Sequence, residues 1–586
     1  MAWEPIKDQL ITRWTNKVDP EKTLPKYPRP QLRRKEWLNL NGLWDYAIRP
    51  KEEKFVNEFE GKILVPFPLE SVLSGVKRKL SPNQKLWYQR NFLIPKSWKN
   101  KKILLHFGAV DWETTIWVNK KRVGVHKGGY TPFYFEISEY LKDSEENTLI
   151  LSVWDPTDKG HQEHGKQSLK PKIIFYTAVS GIWQTVWLEP VSFTYINDLK
   201  MVADIDRELL SLNVGLVNPI SNEIMHITIL DHYNQVILKQ QTSKKEVSLK
   251  ILSPILWSPE NPYLYRIILK ITRDNTVVDE VESYFGMRKV SLSKDTDGIR
   301  RIELNNNTIF QYGTLDQGYW PDGLYTAPTD EALKYDIEVT KELGFNMIRK
   351  HVKIEPARWY YHCDKLGLLV WQDMPNGERW SLTNHIKMKL SSEKRFKGKR
   401  KDHAKQDFYN ELNSMINYLF NFPSVIVLVP FNEGWGQFDT EEVVETIRNL
   451  DSSRLINNAS GWFDKGVGDI RDIHNYPDPK MPNKLKGRAA VIGEFGGLGL
   501  EIEGHMWKFK RKFVYRNFQD RQRLMNEYEK LMIKLKNIIK HGLSAAIYTQ
   551  ITDIEHEING LLTYDREVIK MDKNKLADLN LSLFRI

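Results

Sequence analysis

The chain has 586 residues, 41% hydrophobic and 27% charged, an ordinary balance for folded protein and too long for one core, so roughly three or four domains are expected. Its net charge of +11 is spread along the sequence, which reads as a solvated basic surface and not as a nucleic-acid footprint. The single cysteine, Cys363, excludes intrachain disulfides and a cysteine zinc site, and no window approaches the roughly 18 apolar residues of a membrane span.

The first residues, MAWEPIKDQL, lack a signal segment, so a cytoplasmic location is expected unless a leader has been removed. From Trp37 to about Pro190, short alternating runs such as KKILLHFGAV, TTIWVNKKRVG and NTLILSVWD predict a β-sandwich. A second stretch, 191–287, repeats the pattern more weakly over the length of one immunoglobulin-like sandwich, with Pro254, Pro259 and Pro262 marking loops. Residues 1–190, 191–287 and 288–586 are thus expected to form three domains.

Beyond Arg288 apolar runs alternate with helical patterns. Eight strands are read, at 310–316, 344–352, 367–375, 424–433, 454–462, 469–477, 489–497 and 543–553, which predicts a C-terminal (β/α)8 TIM barrel. Helices are expected over 329–344, opened by a capping Thr, before strand four and before strand eight. The fifth crossover, FDKGVG, is too short for a helix, so that part of the barrel is expected to be irregular.

Two glutamates close apolar runs on this barrel: Glu433 in VIVLVPFNEGWGQ and Glu494 in AAVIGEFGG. Burying a carboxylate without a partner costs several kcal/mol, so a pair of them at strand exits points to an acid and a nucleophile. Strands four and seven face each other across the catalytic mouth. A carboxyl separation of about 5 to 5.5 Å would give a retaining glycosidase, and one of about 6.5 to 9.5 Å an inverting one.

Further expected sugar contacts are Asn432, Trp435, Arg349, His351, His474, Tyr476, Asp316, Asp373 and Tyr548, each with a structural role as the alternative. Arg349 and His351 share one side of strand two by alternation, and an Arg there can hold a nucleophile ionised. No HExxH, closed metal-ligand set, phosphate loop or GxSxG elbow occurs, so neither metal nor cofactor is expected. A nonenzymatic carbohydrate-binding protein remains the rival reading.

These segments resemble glycoside hydrolase family 2, the β-galactosidases, β-glucuronidases and β-mannosidases, over nearly the whole chain. WLNLNGLWDY, the stretch from FGAVDWETTIW to GGYTPF, and SGIWQTVWLEP look like that family's jelly-roll domain, and FGMRKV like its junction into the barrel. FNEGWGQ is similar to the acid/base segment, which implies that role for Glu433. GEFGG is similar to the nucleophile segment, which implies Glu494.

The departures bear on the sugar. NMIRKHVKIEP keeps Arg349 and His351 but not the family's spacing, and no Asn-x-Lys motif follows the nucleophile, which disfavours glucuronides. A β-galactoside is the expected substrate, with a β-glucuronide, a β-mannoside, an arabinoside or a sulfated or anionic glycan as alternatives. The chain stops soon after strand eight, so the extra C-terminal domains of the largest β-galactosidases are not expected and a homo-oligomer stays open. Residues 378–401, with nine Lys or Arg, and 505–512 read as solvated loops or as a basic rim for an anionic glycan. Asp111, Trp112 and the loop HQEHGKQ (161–167) are expected to reach the barrel mouth.

Overall fold

The computed structural model describes residues 3–6, 10–142, 144–378, 398, 400–483, 487–507 and 512–585. Between Leu38 and Val191 the alternating segments form sheets of four and six strands. In Glu113–Val118 every second residue is buried, and such faces meet. Trp44, Leu86 and Leu149 from one sheet share a core with Leu105, Phe107 and Leu188 from the other. Between Tyr195 and Phe285 lies a second sandwich, of three and four strands, around Leu212, Ile227 and Leu269. Pro254, Pro259 and Pro262 fall between the strands Glu246–Lys250 and Tyr265–Arg273.

All eight expected barrel strands form: Gln311–Asp316, Met347–Lys350, Leu369–Asp373, Val425–Val429, Leu455–Ile456, Ile470–His474, Ala489–Gly496 and Leu543–Thr549. Their order is five, four, three, two, one, eight, seven, six, and every pairing is parallel. Strands five and six close the ring without pairing among the described residues, and no helix is described in the crossover between them. This is the expected irregular segment. No helix is described between strands six and seven either.

Helices Asp330–Glu342, Ala357–Leu366, Asp402–Leu419, Thr440–Leu450 and Arg521–Lys540 cover the outside. The Thr329 hydroxyl caps the first, accepting from the Ala332 N–H at 3.1 Å. Alternation sorts the strand residues: Leu315, Met347, Trp371, Val427, Val491 and Ile547 fill the interior, while Tyr312, Ile492 and Tyr548 pack outward against the helix Arg521–Lys540. Beneath the barrel, Ile302 and Leu304 of the strand Arg300–Leu304 close the inner core. Arg288, in the FGMRKV junction, ties into it by donating to the carbonyls of Pro423, Ser453 and Val425. Among the described residues no helix is long and apolar enough to cross a membrane.

Candidate active site

At the C-terminal mouth a carboxylate oxygen of Glu433, one of Glu494 and a ring nitrogen of His474 lie within 4.8 Å of one another. Strict alternation would turn Glu494 outward, because Val491 faces the interior and Ile492 the helix layer. A register shift against strand eight between Ile492 and Phe495 interrupts the alternation: Phe495 again packs outward and Glu494 turns in. Gly493 permits this bulge. A Cβ there would stand 2.2 Å from Asp472 Oδ2, and its N–H donates to Asp472 Oδ1 at 2.5 Å.

Strand four ends at Val429, and the chain carries Glu433 four residues further. Asn432 bridges to Ser460, the Glu433 N–H donates to the Ser460 carbonyl at 2.9 Å, and Glu433 has φ +54°. A left-handed conformation is strained for a glutamate and is held only where neighbours over-determine it, as such backbone bonds do.

Arg349 organises the floor and is fully buried. It donates twice to Asp373, at 3.0 and 2.9 Å, to Asn432 Oδ1 at 2.9 Å, to the Gly493 carbonyl at 3.1 Å and to Glu494 Oε1 at 3.3 Å. Burial alone would lower its pKa, but Asp373 and Glu494 outweigh this and raise it. Tyr476 donates to Glu494 Oε2 at 2.6 Å and pairs with the Thr549 hydroxyl at 2.8 Å, its ring stacked on Tyr515 at 3.6 Å. Burial, then the Glu494 charge, pushes the phenol well up, so it stays a donor.

His474 sits between the glutamates. Ser460 donates to Asp472 at 2.6 Å, so its oxygen accepts from His474 Nε2–H at 2.7 Å. Nδ1 lies 2.8 Å from Glu433 and 3.4 Å from Glu494. Burial opposes the charged ring, yet Glu494 and Glu433 raise its pKa above the ordinary value. The trio is the one group of three potential metal ligands found among the described residues. His351 is the opposite case: burial and the charge of Lys166 depress it well below its usual value. Its Nδ1–H therefore donates to Asp373 at 2.8 Å and Nε2 is left an acceptor.

Asn432, His351, Trp435, Tyr476 and both glutamates line one pocket, with Arg349, Asp373 and His474 supporting it. Asp316 and Tyr548 do not join them. Leu315 faces the pocket, and Asp316 on the other side of strand one lies in a buried ion cluster, 2.6 Å from Lys350, which also reaches Glu355 at 2.8 Å. Ile547 and Thr549 point inward, and Tyr548 packs edge-on to Phe495 and Tyr528 in the outer layer.

Asp111 and Trp112 also lie off the pocket. Asp111 accepts from Gln167 Nε2 at 2.8 Å, and Trp112 packs edge-on to Trp154 within the sandwich. The loop 161–167 does arrive: Lys166 lines the pocket, and His164 packs edge-on to Trp435. Ile174 and Phe175 from the same domain, and Tyr515, Thr549 and Glu557 from barrel loops, complete the lining. No strand-end motif marks these residues in the sequence. Of the two basic loops, 379–397, 399 and 508–511 lie outside the described residues.

Two β-sandwiches ahead of a parallel barrel with paired glutamates at its mouth define the multidomain barrel glycosidase class. Family models agree: the sugar binding domain of glycosyl hydrolases family 2 matches residues 65–189, a second model of that family matches 194–288, and its TIM barrel domain matches 326–567. The chain belongs to glycosyl hydrolases family 2.

It is 26% identical over 441 residues to a β-galactosidase of Thermoanaerobacter pseudethanolicus, covering 72% of this chain and 54% of that protein. It is 24% identical over 431 residues to a β-glucuronidase of Formosa agariphila, covering 67% and 41%. The chain thus matches about half or less of these relatives' lengths. The crystal structure of Ruminococcus gnavus β-glucuronidase superposes with TM-score 0.76 at 18% identity, over 96% of this chain and 100% of that one, a likeness of fold.

Proposed function

We propose that the protein is a retaining exo-β-glycosidase that removes terminal β-linked sugars, β-galactosides foremost, from oligo- or polysaccharides. The observation that carries this reading is the glutamate pair: oxygens within 4.8 Å of each other, short of the inverting range, in unlike surroundings. Glu494 is clasped by Arg349 and Tyr476, which suits an ionised nucleophile. Glu433 stands on the other side, with about a quarter of its side chain exposed, where a leaving group and then water can reach it.

In the first step Glu494 attacks the anomeric carbon, the glycosidic bond breaks, and Glu433 gives its proton to the leaving oxygen. In the second, Glu433 takes a proton from water, whose oxygen attacks the same carbon and expels the Glu494 carboxylate. His474 and Arg349 hold positive charge beside the carboxylate that is neutralised and regenerated. Ile174 and Phe175, reaching over from the first sandwich, narrow the pocket, which supports action on chain ends.

Similarity to the T. pseudethanolicus β-galactosidase supports the galactoside. On a 4-nitrophenyl β-galactoside, Glu494→Ala abolishes turnover, and azide restores release of an α-glycosyl azide. An unaffected rate would end the assignment, and sugar binding without wild-type turnover would favour the binding-protein reading.

A further inference from the structure

Among the described residues, one cation of the pocket has no counter-ion. Lys166 is 91% buried and lines the same pocket as Glu433 and Glu494, yet among the described residues its ammonium makes no hydrogen bond or ion pair. Its Nζ lies 5.9 Å from the centre of the Tyr176 ring, at the outer limit of a cation–π distance. The pocket carboxylates have other partners. Glu494 is held by Arg349 and Tyr476, Glu433 pairs with His474, and Glu557 accepts from the Tyr176 hydroxyl and from Asn559 at 2.9 Å.

The loop that carries Lys166 is held in place. The N–H groups of His164 and Gly165 donate to the Asn376 carbonyl, both at 2.9 Å, and the Tyr176 N–H donates to the Lys166 carbonyl at 2.9 Å. Gly165 has φ +59°, and a Cβ on it would stand 2.8 Å from the Val352 carbonyl, so the loop is pressed against the end of barrel strand two. Gln167, the next residue, is anchored to Asp111 and to the Tyr130 hydroxyl. That gives Asp111 a role in aiming this loop.

A cation on a side chain nine-tenths buried gains when a ligand brings it an anion. Resting on the glycosidase reading above, we propose that Lys166 selects a terminal sugar that carries an oxyanion, a carboxylate or a sulfate ester. The cation comes from the sandwich, away from the segment after the nucleophile where the sequence lacks an Asn-x-Lys motif. His351, kept neutral partly by the Lys166 charge, offers an acceptor beside it for a sugar hydroxyl. A neutral sugar would bring the ammonium no counter-ion.

The test compares matched 4-nitrophenyl substrates, β-galactoside with β-galacturonide, β-glucoside with β-glucuronide, and β-galactoside with its 6-sulfate. Wild type is expected to favour the charged member. Lys166→Met should lower kcat/KM for that member roughly 30- to 1,000-fold and for the neutral one at most about threefold, with Lys166→Arg between. The carboxylate and sulfate arms tell which oxyanion is read. No preference for the charged member, or an equal loss on both, overturns the proposal. Calorimetric titration of galacturonate, glucuronate and galactose 6-sulfate into Glu494→Gln protein reads the contact without turnover. Binding lost on adding Lys166→Met supports it even if the catalytic reading fails, and binding unchanged by that substitution refutes it.

Discussion

Tyr476→Phe separates the two chemical steps. The change deletes one oxygen while keeping the ring that stacks on Tyr515 at 3.6 Å, so packing survives. What is lost is a 2.6 Å hydrogen bond to Glu494, and a bond to a charged acceptor is worth about 1.5–3 kcal/mol. In the glycosyl-enzyme Glu494 is an ester and uses the phenol little; as that ester breaks, the charge returns. With about half the charge restored in the transition state, about 0.75–1.5 kcal/mol of stabilisation disappears, or about 3- to 13-fold in the deglycosylation rate. Glycosylation starts from the charged, hydrogen-bonded carboxylate and loses that charge, so it should suffer less. Stopped-flow release of 4-nitrophenol should therefore show a burst in the variant larger than any in wild type, followed by a slower steady state. A variant with unchanged kcat and burst would refute the placing of this hydrogen bond on the nucleophile.

Glu433→Ala should spare activated aryl glycosides and slow natural oligosaccharides by about 10²- to 10⁴-fold, checked by comparing kcat/KM on the two. His474 has a raised pKa, so its pairing with the glutamates contributes stability that is complete below the unfolded value of about 6.5 and is lost as pH rises through the folded value. Wild-type Tm should accordingly fall more steeply than that of His474→Asn across this interval, and parallel profiles would contradict the pairing. Gly493→Ala forces a methyl against Asp472 and should cost about 1–3 kcal/mol and most activity, measured by denaturant unfolding and turnover.

The barrel was legible because each strand is an apolar run closed by turn residues, and the two sandwiches because their faces alternate. The irregular fifth crossover was legible from its length alone. Which side of a strand faces the sugar was less so. On strand eight the inward residue is Thr549 and not Tyr548, and on strand one it is Leu315 and not Asp316, since a one-residue shift exchanges faces. The bulge after Gly493 reverses the parity that alternation predicts for Glu494. The loop 161–167 was expected at the mouth, though not Lys166 singly, while Ile174 and Phe175 carried no legible signal, because their place in the pocket depends on how a sandwich loop docks on a barrel hundreds of residues away in sequence.

The central claim is a covalent bond between the anomeric carbon and Glu494. A 2-deoxy-2-fluoro β-glycoside of the preferred sugar, with an activated leaving group, should slow deglycosylation enough to trap that ester. Mass spectrometry of the digested protein should then find one added fluorosugar, on the peptide containing Glu494 and absent from Glu494→Gln. A label on the Glu433 peptide, or no label with release of the α-configured sugar, would contradict the account.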